Sequence, residues 1–223
     1  KKKLLAAAAA AATLVLAAGL LAGCGSSSGG SGSSDSAGDS DAVYRTLDDI
    51  KADGVLKIGV FSDKNPFGYV DDNGDYAGYD VELAKRLGED LGVEVGYVST
   101  EAANRVEYLQ TGKVDIILAN FTVTDERAEQ VDFCDPYMNV ALGVVSHDDN
   151  VITDLSQIGA DDEVIVITGT TAETYLTENN PEIKLQKYDT YASAKSAFEN
   201  GTGVAWANDN TEVIAFANGT TGY

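Results

Sequence analysis

From residue 56 onward, short apolar runs of strand length alternate with longer amphipathic segments, and this alternation limits the possible folds more than any other feature of the chain. Leu56 to Phe61 reads as a strand, and Tyr79 to Leu91 as a helix with Val81, Leu83, Ala84, Leu87 and Leu91 on one stripe. The spacing then predicts a strand over Val93 to Val98, a short helix over Arg105 to Gln110 and a buried strand over Val114 to Ala119. A helix over Asp125 to Val131 and a strand over Val140 to Val145 follow. After the polar stretch Ser146 to Asn150 the pattern restarts. Strands at Val164 to Thr168, Lys184 to Tyr188 and Gly203 to Ala207 interleave with helices at Ala172 to Glu178 and Ala192 to Glu199. Strands interleaved with helices argue for parallel-type α/β sheets, whose ligands sit in crevices beyond the strand ends. Two α/β lobes, residues 44–145 and 146–223, are the simplest account.

The N-terminus reads as an address. Lys1 to Lys3 precede an apolar run from Leu4 to Leu21, and Leu21-Ala22-Gly23-Cys24 closes it. A charged start, an apolar core and small residues before a cysteine predict a cleaved export signal over residues 1–23, with a retained span as the alternative. Leu-Ala-Gly-Cys looks like a bacterial lipobox, so Cys24 is expected to carry acyl chains and anchor the protein without a protein span. From Gly25 to Asp41 no large apolar residue occurs. Residues 24–43 are therefore expected to form a lipidated, Gly/Ser-rich flexible tether.

Charge narrows the partners. There are 36 acidic residues against 15 Lys and Arg, three of the latter in the segment expected to be removed. Phosphate backbones and anionic lipid would repel such a chain, so nucleic acid is not an expected partner and the membrane is expected to be met through the lipid anchor alone. His147 is the one histidine, and Cys24 and Cys134 lie far apart, which leaves neither a disulfide framework nor a zinc cluster. No metal or cofactor is expected. Cys134, between Phe133 and Asp135-Pro136, is expected to pack as a small apolar group.

The run Ala119-Asn120-Phe121-Thr122-Val123-Thr124-Asp125-Glu126-Arg127, followed by Val131-Asp132-Phe133-Cys134-Asp135-Pro136-Tyr137, resembles the extracytoplasmic solute-binding proteins of polar amino acid ABC transporters. The likeness extends through Gly59 to Tyr79 and from Gly169-Thr170-Thr171 to Asp209. Gly59 to Lys64, Glu101 to Arg105 and Ile117 to Thr122 look most like the cysteine-binding branch. The resemblance implies a two-lobed, periplasmic-binding-protein-like (type II) fold that closes over an amino acid, about a hinge near Val140 to Ser146. It also implies delivery of the ligand to a membrane permease. The family continues beyond Asp209, crosses back over the hinge and adds helices to the first lobe. The chain ending at Tyr223 is thus expected to lack the return crossover and the C-terminal part of the second lobe. A monomer is expected.

An L-amino acid presents a carboxylate and an ammonium on one carbon, so its site needs a fixed cation and a fixed anion. Arg127 is the candidate cation, since a guanidinium grips a carboxylate through two charge-assisted bonds; pairing with Asp125 or Glu129 is its plain alternative. Thr122 stands beside it, and Asn120 lies where the family contacts the ammonium. Thr170 with Glu173 fits a helix capping box. Thr171, at the helix start, can meet the carboxylate from the opposite side. Asp209 matches the family's acidic partner for the ammonium. Lys64 and Ala102 stand where binders of basic amino acids carry aromatic rings, which disfavours a basic ligand. Arg105 resembles an arginine that takes a side-chain carboxylate in acidic-amino-acid binders, or else pairs with Glu101. Phe61 and Phe67 either line the pocket or pack in the core. Together these imply a small, positively biased pocket for cysteine, or for glutamate, aspartate or glutamine. A dehydratase-like enzyme on the same scaffold is the alternative, although no nucleophile–histidine pair is visible.

Overall fold

The computed structural model describes residues 44–223; the expected signal, Cys24 and the tether lie outside the described residues. Helix α1 (Leu47–Asp53) opens this part, capped reciprocally by Thr46 and Asp49, and it ends on Gly54 in the left-handed conformation. Strand β1 (Val55–Val60) follows, then a small antiparallel sheet of β2 (Asp63–Lys64), β3 (Gly68–Val70) and β4 (Tyr76–Ala77). The turn between β3 and β4 is built by Asp71, whose carboxylate accepts the N–H groups of Asn73 and Asp75.

Helix α2 (Tyr79–Leu91) buries Asp80, Val81, Ala84 and Gly88. Strand β5 (Glu94–Ser99) and strand β6 (Ile116–Ile117) flank β1 in a parallel three-stranded sheet, order β5-β1-β6, with helix α3 (Arg105–Gln110) between them in sequence. The expected strand over residues 114–119 is reduced to two residues, since only Ile116 and Ile117 find ladder partners, Ile58 and Gly59 of β1. Hydrogen bonds from the Asp115 N–H to the Lys57 carbonyl and from the Leu118 N–H to the Gly59 carbonyl still hold both its ends to β1. Helix α4 (Asp125–Ala128) is shorter than the spacing predicted and is capped by Thr124.

The second lobe contains β7 (Leu142–Ser146), β8 (Glu163–Ile167), α5 (Thr171–Asn179), β9 (Lys184–Tyr188), α6 (Tyr191–Glu199), β10 (Ala205–Asp209) and α7 (Asn210–Gly219). Its sheet runs β7-β10-β8-β9, parallel except for β7. Strand β7, expected at the end of the first lobe, therefore belongs to the second, since all five of its residues pair with β10. The chain passes between lobes before Leu142 rather than after Val145. Strand β8 is apolar from Val164 to Ile167 and fully buried there, as a strand covered on both faces should be.

Each of the two larger sheets has its own core, around Leu56, Ile58, Val60 and Val81 in the first lobe and Val164, Val166 and Leu176 in the second. A third cluster joins them. It packs Phe61, Ala102 and Ala119 of the first lobe with Ile165, Ile167, Tyr191, Phe198 and Trp206 of the second. At roughly 1.5–3 kcal/mol for each large apolar side chain removed from water, this shared cluster holds the lobes face to face. Cys134 is exposed rather than packed, because its segment lies on the surface past the edge strand.

Candidate functional site

The facing ends of the two sheets bring three cations of the first lobe against the second. Arg105 begins helix α3 and is buried. Its Nε donates to the Ala102 carbonyl at 2.9 Å, and Nη1 donates to the carbonyls of Ala119 at 3.0 Å and Asn120 at 3.1 Å. Its Nη2 crosses to the Gly169 carbonyl at 3.0 Å. Arg127, half-buried on α4, donates from Nη1 to the Thr122 carbonyl at 2.8 Å and from Nη2 to the same Gly169 carbonyl at 3.0 Å. Both guanidiniums also sit by the Phe121 ring, 4.5 and 4.8 Å from its centre. Burial, and then the like charge of Arg127, pull the Arg105 pKa down to about 10. Burial likewise lowers that of Arg127, against the attraction of Asp209. Two cations thus converge on one neutral oxygen.

Lys64 is the third cation. Its side chain is fully enclosed, with Nζ 3.2 Å from the Tyr191 hydroxyl and 3.8 Å from Asp209. The rings of Phe61, Phe67 and Tyr191 surround it, with centres 4.5–5.5 Å away. Burial disfavours its charge, but Tyr191, Glu212 and Asp209 outweigh that and hold its pKa above the ordinary value. Asp209 ends β10 and is buried. Glu212, in the first turn of α7, is buried beside it, and burial pushes its carboxyl pKa up to about 7.

Gly169 is where the lobes come closest. Its φ of +78° lies in the left-handed region, and a Cβ there would stand 2.6 Å from the Ala103 Cα. Thr170 caps α5, its Oγ accepting from the Glu173 N–H at 3.3 Å. The expected reciprocal bond is displaced by one residue, since the Glu173 carboxylate accepts from the Gly169 N–H at 2.6 Å and pairs with Lys187. Thr171 opens the helix.

The structure brings Lys64, Arg105 and Arg127 of the first lobe and Gly169 and Asp209 of the second to one interface. Asn120 and Thr122 join it through their carbonyls and Phe61 through its ring. Sequence reading missed Asp80, Tyr137, Tyr191 and Glu212. Asp80 left a signal: it falls on the buried stripe of α2 shared with Ala84 and Gly88, where an acid is out of place.

This arrangement, two α/β lobes meeting across a charged seam, is that of a two-lobed binding protein. Residues 56–220 match the family described as bacterial extracellular solute-binding proteins, family 3, and the chain belongs to it. A solved structure of the solute receptors for L-cysteine of Neisseria gonorrhoeae is similar with 54% identity and a TM-score of 0.77, covering 78% of this chain and 72% of that one. The ancestral amino acid-binding protein AncCDT-1, a precursor of cyclohexadienyl dehydratase, is similar with 36% identity and a TM-score of 0.75, covering 78% of each chain. The ABC transporter glutamine-binding protein GlnH of Bacillus subtilis is 30% identical over 182 residues, 80% of this chain and 67% of the relative. Among the described residues no helix is long and apolar enough to cross a membrane.

Proposed function

We propose that the protein is a membrane-tethered extracytoplasmic receptor that binds a small polar L-amino acid, cysteine by preference, between its lobes and delivers it to an ABC transporter permease without transforming it. The observation that carries this reading is the convergence of Arg105 and Arg127 on the single Gly169 carbonyl, in a chain whose net charge is −21. The Gly169 carbonyl carries no charge, so the two cations stand uncompensated there, and a carboxylate entering beside that oxygen supplies the opposite charge and can take paired bonds from Arg127. Arg127, Thr122 and Thr171 hold the carboxylate, while Asn120 and Asp209 take the ammonium; Thr170, expected among the ligand contacts, instead gives its hydroxyl and N–H to the Ile167 carbonyl and caps α5. Lys64, Arg105 and Phe61 form the positively biased wall that selects a small or acidic side chain. The likeness to a receptor for L-cysteine supports that ligand, and the glutamine-binding relative supports glutamine as the second choice. Export, the acylated Cys24 and the tether complete the proposal.

Calorimetric titration with the twenty amino acids and cystine tests it. Cysteine is expected to bind, with Arg127→Ala abolishing and Asp209→Asn severely weakening the interaction. Unchanged affinity in Arg127→Ala refutes the site, and a preference for lysine or histidine refutes the assigned roles of Lys64 and Arg105.

A further inference from the structure

We infer that Asp80, held by Tyr137, is a positioning residue that locks the backbone of Asn120 in the conformation the amino acid site requires. The inference rests on the receptor reading above and adds to it a residue that touches no ligand. Asp80 is 0% exposed, yet neither of its bonded oxygens serves its own helix. Oδ2 accepts the Asn120 N–H at 3.2 Å, and Oδ1 accepts the Tyr137 hydroxyl at 2.9 Å. A buried carboxylate is costly unless it is hydrogen-bonded, and these two bonds are the ones that offset the burial, which raises its pKa.

Asn120 is the position that needs such support. Its φ is +43°, and among the described residues it is the one non-glycine residue with positive φ. Asparagine tolerates that conformation better than other L-residues but still at a cost, and the bond from its N–H to Asp80 helps hold it there. The turn aims successive carbonyls at both arginines. The Asn120 carbonyl accepts from Arg105 Nη1 and from the Thr122 N–H, each at 3.1 Å, and the Thr122 carbonyl accepts from Arg127 Nη1. The Asn120 Oδ1 is buried with no hydrogen-bond partner in the protein, an acceptor beside the cation cluster that suits the ammonium of a ligand. Asp80 therefore acts on binding through Asn120.

The test titrates the full chain with L-cysteine, L-glutamate and L-glutamine and follows whichever the unsubstituted protein binds, together with urea unfolding of the unliganded variants. Asp80→Ala is expected to weaken binding at least tenfold. In an Asn120→Gly background, where glycine enters the left-handed region unaided, the same substitution is expected to cost less than threefold, whatever Asn120→Gly itself costs. A merely structural Asp80 predicts equal losses in both backgrounds, and equal losses overturn the inference. So does a loss below twofold in the first background. If Asp80→Ala does not fold, Tyr137→Phe keeps the carboxylate but frees one oxygen and is expected to weaken binding three- to fivefold; unaltered affinity there overturns the inference. Normal binding that ignores these substitutions removes this inference alone, whereas no amino acid binding by the unsubstituted protein removes the receptor reading and this inference with it.

Discussion

Replacing Gly169 by alanine tests whether face-to-face contact of the lobes is part of binding. The new methyl would stand 2.6 Å from the Ala103 Cα and 2.8 Å from its N, both backbone atoms that cannot swing aside. Ordinary carbon contacts are about 3.5–4.0 Å, so the first lobe must withdraw by roughly 1 Å. The bonds from Arg105 and Arg127 to the Gly169 carbonyl, now 3.0 Å each, would then stretch to about 4 Å and be lost. Charge-assisted bonds contribute about 1.5–3 kcal/mol apiece, and solvation of the freed guanidiniums returns part of that. A net loss of at least ~2 kcal/mol, about 30-fold in affinity, is expected from the closed form. The left-handed φ adds about 1–2 kcal/mol against either form and so lowers stability without changing affinity. Calorimetry and small-angle scattering of the ligand-bound state measure the two effects, with weaker binding and a larger radius expected. Affinity within threefold of the original and an unchanged radius would refute the role given to this contact.

Two further substitutions probe the buried charges. Lys64→Met removes the ammonium that faces Asp209 at 3.8 Å, with side chains 0% and 8% exposed, and should destabilise the fold by about 3 kcal/mol in urea unfolding; a loss below 1 kcal/mol would show that Asp209 and Glu212 need no counter-ion. Burial raises the Glu212 pKa from 4.5 to about 7, so the folded protein holds this proton more tightly than the unfolded chain. Its contribution is favourable below about pH 4.5 and is lost as pH rises to 7, by on the order of 3 kcal/mol. Glu212→Gln should therefore flatten the decline in stability between pH 5 and 8, and an unaltered pH profile in the variant contradicts the assignment.

The α2 helix was legible from its buried stripe, and the strands β1, β5, β8 and β9 from short runs rich in apolar residues at strand length. Helix α1 escaped because seven residues offer Leu47 and Ile50 as their large apolar groups, too few to show a period. Strand β6 shrank because only two of its residues find ladder partners in β1, which an apolar run does not show. Strand β7 was recognised as a strand but placed in the wrong lobe, since an apolar run carries no label for the sheet it joins. Antiparallel pairing with β10, some sixty residues later, decides that.

The site divides in the same way. Arg127, Asp209 and the Gly169-Thr170-Thr171 turn were marked by their motif, because local spacing sets a helix start and its caps. The seam itself was not. That Arg105 reaches the carbonyls of Ala119, Asn120 and Gly169, that Lys64 faces Asp209, and that Asp80 supports Asn120 all depend on groups 14 to 145 positions apart being brought within 4 Å. The order of residues determined which elements form and which charges each carries. Only the packing of one lobe on the other decided which of those charges lost their water, and desolvation is what turns an ordinary charged side chain into part of a binding site.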